Sequence, residues 1–111
     1  MCRALRVLCA AASQDRLAML RQASTGVAWE IVGGAEGLED LARQLESWHP
    51  DVVVLDAELG PEAVRSVQRI GPWARMVSLG EVPGVDEVAG STEDIRSAIL
   101  GLPRPGGPVR A

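Results

Sequence analysis

Asp51-Val52-Val53-Val54-Leu55-Asp56 decides the fold of this chain. Four consecutive apolar residues leave no alternate position for water, so the segment predicts a strand buried on both faces. Such strands belong to parallel sheets packed between helices. Working outward, Pro50 ends a preceding helix whose apolar face is Leu38, Leu41, Ala42, Leu45 and Trp48. Before it, Val27 to Val32 reads as a second strand stopped by Gly33-Gly34. Leu5 to Ala11 reads as the first, followed by an N-cap at Ser13 and a helix carrying Leu17 and Leu20 as far as Gly26. On the other side, Pro61 opens a helix with Val64, Val67 and Ile70 facing inward. Ala74 to Leu79 is a fourth strand and Gly84 to Ala89 a weaker fifth. Ser91 or Thr92 then caps a last helix with Ile95, Ala98, Ile99 and Leu102.

Repeated strand–helix units imply an α/β fold with right-handed crossovers and a parallel sheet covered on both faces. No helical pattern lies between the fourth and fifth strands. Residues 1–102 form the predicted domain. Residues 103–111, with Pro103, Pro105, Gly106, Gly107 and Pro108, read as a tail or linker. At 111 residues the chain is long enough for one core without staples.

Composition removes several function classes. The net charge is −4, which argues against general attraction to nucleic acid or to an anionic membrane. All 11 basic residues are Arg, and with no Phe or Tyr a base-stacking surface is not expected. No stretch reaches transmembrane length, so the cytoplasm is the expected location. Cys2 and Cys9 are too few for a disulfide framework, and Cys9 reads as a small buried hydrophobe. His49, the only histidine, has no ligand or triad partner at useful spacing. Gly33-Gly34-Ala35-Glu36-Gly37 lacks phosphate-loop spacing and reads as a turn. No cofactor, metal or enzymatic activity is expected.

The segment from Glu30-Ile31-Val32-Gly33-Gly34 through His49-Pro50-Asp51-Val52-Val53-Val54-Leu55-Asp56 resembles the receiver domains of bacterial response regulators, especially the LuxR type. The resemblance spans roughly residues 4 to 100. It implies a flavodoxin-like (CheY-like) doubly wound sheet of five strands in the order 2-1-3-4-5, and it places Asp56 at the phospho-acceptor position. The departures matter as much. Receivers hold Mg²⁺ with an acidic pair after the first strand, because a hard cation takes oxygen ligands. Here Ala11 and Ala12 stand there. The receiver Lys is absent, Ser78 retains the hydroxyl position of the fourth strand, and the fourth helix is reduced or missing. Asp15 and Glu36 lie within reach of the same rim and leave weak metal binding open. With neither metal nor Lys, Asp56 and Glu58 are expected to face an incoming phosphoryl group without a compensating charge.

The reading that follows is a phosphorylation-independent pseudo-receiver acting as a protein-interaction module in bacterial signalling or localisation. The alternatives are an active receiver phosphorylated on Asp56 and a small-ligand sensor at the strand-end crevice. The tail resembles the junction in pilus-assembly and septum-site proteins of the CpaE and TadZ type, which implies linkage to a MinD-like ATPase; descent from a LuxR-type regulator that lost its DNA-binding half is the alternative. Without a fourth helix, Leu79, Val82, Val85 and Val88 are expected to form an exposed apolar surface. Together with Glu93 and Arg96 on the last helix, they are the expected site for a partner or for homodimerisation.

Overall fold

In the computed structural model, residues 5–102 are described, so the predicted tail at 103–111 and Cys2 lie outside the described residues. Five parallel strands form one sheet: β1 (Leu5–Ala11), β2 (Trp29–Glu36), β3 (Val52–Asp56), β4 (Arg75–Leu79) and β5 (Glu87–Ala89). Their order is β2-β1-β3-β4-β5, as the receiver resemblance implies. Four helices connect or follow them: α1 (Gln14–Ser24), α2 (Leu38–Trp48), α3 (Pro61–Ile70) and α4 (Ile95–Leu100). The fold is α/β and doubly wound.

The Val52–Asp56 run lies at the centre of the sheet, buried along its whole length. Alternate residues feed two separate cores. Val53 and Leu55 join Leu8, Leu41, Leu45, Val64 and Val67 under α2 and α3. Val52 and Val54 join Val7, Leu17, Leu20, Val77, Ile95 and Ile99 under α1 and α4. This two-sided burial is why the sequence shows an unbroken apolar run rather than an alternation.

Local chemistry explains the helix ends. Ser13 caps α1, its Oγ accepting from Arg16 N at 3.4 Å. His49 closes α2 in the left-handed conformation, at φ 47°. Pro61 takes the first position of α3, where its missing N–H would be unpaired in any case. A short 3₁₀ turn, Thr92–Asp94, precedes α4. Trp48, expected on the buried face of α2, is 40% exposed.

Two expectations are corrected. Gly33-Gly34 is not a turn; β2 runs through both glycines to Glu36. They are the points where helices close on the strand. A Cβ on Gly33 would stand 2.5 Å from Gln44 Oε1 and 3.0 Å from Trp48 Nε1, whereas one on Gly34 would stand 3.2 Å from Leu17. The second correction concerns the missing helix. The β4–β5 connection does lack one, but the sheet there is not left bare. Val82 is buried in the α2–α3 core and Val85 packs half-buried against it. Gly84 lies so close to α3 that a Cβ would meet Val64 at 3.0 Å. The loop itself fills the place of the helix. Leu79 points to the opposite core, toward α1 and α4. Of the four apolar residues expected at the surface, only Val88 is exposed, at 41%.

Candidate functional site

Asp56 ends β3 at the carboxyl edge of the sheet, where doubly wound folds place their ligands. Its carboxylate is 1% exposed and is not alone. Arg16 Nε donates to Oδ2 at 2.7 Å and its Nη2 to Oδ1 at 3.1 Å. Both oxygens are therefore held by one planar guanidinium, the geometry in which Arg binds carboxylates best. Glu58 N also points at Oδ1, at 3.4 Å, from the short 3₁₀ turn Ala57–Leu59. The Arg16 side chain is 38% exposed, so the pair has one dry end and one wet end. The bonds to Asp56 raise the Arg16 pKa further above its already high value, which fixes the guanidinium charge.

Arg16 is a partner for Asp56 that the sequence reading does not include. Arg16 was missed because no strand-end or loop motif marks it. The signal that exists is its place in the chain, the third residue after the Ser13 cap. The first turn of α1 begins directly above β1, so a long side chain there can cross to the end of neighbouring β3.

The remaining site residues fall as follows. Ala11 is fully buried at the end of β1, and Ala12 is exposed. Ser78 is buried on β4, with its Oγ donating to Gly80 O at 2.7 Å. It stabilises the turn out of the strand and makes no bond to Asp56. Glu58 is exposed. Glu36 accepts from Gln14 Nε2 at 2.9 Å, and Asp15 is exposed in the first turn of α1.

These residues do not fit a Mg²⁺ ion. The cation needs several oxygen ligands, but two methyl groups stand at the end of β1 and a guanidinium already occupies both Asp56 oxygens. Among the described residues, no three His, Cys, Asp or Glu side chains come together as a ligand set. No described helix is long and apolar enough to cross a membrane.

The fold is that of response-regulator receiver domains. The response-regulator domain of Thermotoga maritima CheB superposes with a TM-score of 0.67 at 21% identity, covering 91% of this chain and 100% of that one. The isolated receiver domain of RcsB from Salmonella enterica serovar Typhimurium, solved with the phosphomimetic BeF3⁻, gives 0.72 at 16% identity, covering 88% and 87%. The receiver domain of a NarL regulator from Mycobacterium tuberculosis gives 0.68 at 19% identity, covering 89% and 95%. No protein-family model and no curated protein matches the sequence.

Proposed function

We propose that this chain is a signalling module of the receiver fold that works without aspartate phosphorylation, through contact with a protein partner. One observation carries the reading: the Arg16–Asp56 pair at the place where a receiver accepts phosphate. A carboxylate attacks phosphorus with an oxygen lone pair, and here Arg16 hydrogen-bonds both oxygens and draws electron density away from the lone pairs that remain. The guanidinium does replace a positive charge, but it spends that charge on the nucleophile. It leaves nothing comparable to metal and Lys for the oxygens of an incoming phosphoryl group. No enzymatic role is assigned, and neither nucleic acid nor membrane is a proposed partner.

Acetyl phosphate and beryllofluoride with Mg²⁺ test this, read by intact-mass spectrometry and by spectral shifts at Asp56. The expected result is an unmodified mass and an unchanged spectrum. A phosphoryl adduct that disappears in Asp56→Asn overturns the proposal in favour of an active receiver.

A further inference from the structure

The sheet has two edges, and the chain treats them differently. On the β2 side, the backbone is stopped by side chains of α2. Gln44 Nε2 donates to Gly34 O at 2.7 Å, and Glu36 N donates to Asp40 Oδ2 at 3.1 Å. Gln44 also donates to Asp40 Oδ2 at 3.1 Å, which ties the two caps together. At the carboxyl end of β2, two groups that would template another strand are taken.

Among the described residues, no helix side chain caps the outer backbone groups of β5, a short strand of three residues. It is the last strand of the sheet, and among the described residues no strand lies outside it. Its register with β4 pairs Ser78 with Val88 and Leu79 with Ala89. Val88 therefore projects on the face shared with Met76, beyond the reach of the loop that buries Val82, and it stays exposed. Ala89 on the other face is buried under α4.

The charge around this open edge has one sign. Between residues 81 and 95 there are five acidic residues and no basic one. Asp86 is consumed internally, accepting from Met76 N at 2.7 Å and pairing with Arg75 at 3.6 Å. Glu81, Glu87, Glu93 and Asp94 remain exposed. Arg96, which follows, donates to Thr25 O at 2.5 Å and so points back toward the end of α1.

We infer that the β5 edge, with Val88 at its centre, is the docking site for an extended, basic segment of a partner protein, which adds a strand to the sheet. This deepens the proposed function by naming the partner's chemistry, and it rests on that reading for the idea that protein contact is the output. Backbone groups of β5 supply the pairing, Val88 supplies an apolar contact, and the carboxylates select arginine or lysine. A second copy is the poorer occupant. Pairing β5 with itself would bring one acidic stretch against another, and like charges across a strand pair are destabilising.

A synthetic peptide alternating arginine with valine, titrated into the full chain, tests the site. Binding is expected, with amide NMR shifts centred on Glu87, Val88 and Ala89 and an affinity that falls with salt. Affinity is expected to fall about tenfold in Glu87→Arg, and about tenfold for a peptide of equal charge with proline at alternate positions, since it cannot pair as a strand. The inference is overturned if the proline peptide binds as tightly as its parent, if the shifts gather along β2, or if the free chain is a dimer that Val88→Asp dissociates. The phosphorylation assay is read on a different site, so failure here leaves that result standing, and the reverse.

Discussion

Substituting Arg16 and Asp56 singly and together separates a pair that neutralises a buried carboxylate from one that merely decorates the surface. Asp56 is 1% exposed, whereas the Arg16 side chain is 38% exposed. The two single changes are therefore unequal. Asp56→Ala removes the buried charge together with its partners' reason for order. The freed guanidinium and Glu58 N–H then turn to water, so the loss is that of charge-assisted hydrogen bonds less a desolvation penalty, about 1–2 kcal/mol. For a domain of this size that lowers the melting temperature by roughly 5–10 °C. Arg16→Ala instead leaves a carboxylate at the end of β3 with only the 3.4 Å approach of Glu58 N. An orphaned buried charge is the more damaging outcome, so Arg16→Ala is expected to be the less stable variant. The double variant is expected to be no worse than Arg16→Ala, because it removes the stranded carboxylate. Urea denaturation followed by the fluorescence of buried Trp29 measures all three. If Asp56→Ala proves the more damaging single change, or if the double variant shows the full sum of the two losses, the carboxylate is not neutralised by Arg16.

Val82 and Val88 are expected to respond oppositely to the same change. Val82→Asp places a charge in the α2–α3 core and destabilises by about 3 kcal/mol or more, whereas Val88→Asp stays within about 0.5 kcal/mol; thermal melts compare them. Burial pushes the Cys9 thiol up to about 11 from 9.0, so the folded state favours the neutral thiol. Its contribution is present below pH 9 and is lost as the pH rises toward 11. Denaturation curves of Cys9→Ala should fall less steeply there, and in a Cys2→Ser background thiol reagents should label the native chain only as fast as it unfolds. The Glu36 amide, then Gln44 and Arg43, hold the Asp40 carboxyl below its usual range. Its stabilising effect is present above the ordinary carboxylate pKa and fades as the pH falls through the lowered value. Asp40→Asn is expected to flatten this acid-side slope and to speed hydrogen exchange at Glu36 N.

The sequence by itself determined the architecture. Val52-Val53-Val54-Leu55 has no polar alternate because both its faces are buried, and the Ser13 cap and the Pro61 helix start follow from comparably local chemistry, whereas Ser91 opens only the 3₁₀ turn before α4. The order of the sheet came from the receiver resemblance, and the absence of a helix before β5 from the lack of any helical period. The missing acids at Ala11 and Ala12 were equally legible, since a methyl group has no other reading. Only the tertiary structure decided what replaces them. The Arg16–Asp56 pair joins residues 40 apart in the chain, and no periodicity encodes a contact made between the start of one helix and the end of a strand three elements later. Gly33-Gly34 looked like a turn because glycine breaks strands locally. It sits within one because Leu17, Gln44 and Trp48 arrive from helices on both faces. Val82 looked stranded because nothing nearby in sequence could bury it, and a loop can fill a helix's place when its apolar side chains, here Val82 and Val85, land on a core built elsewhere. Local propensity is a property of neighbours in the chain, and these outcomes were fixed by neighbours in space.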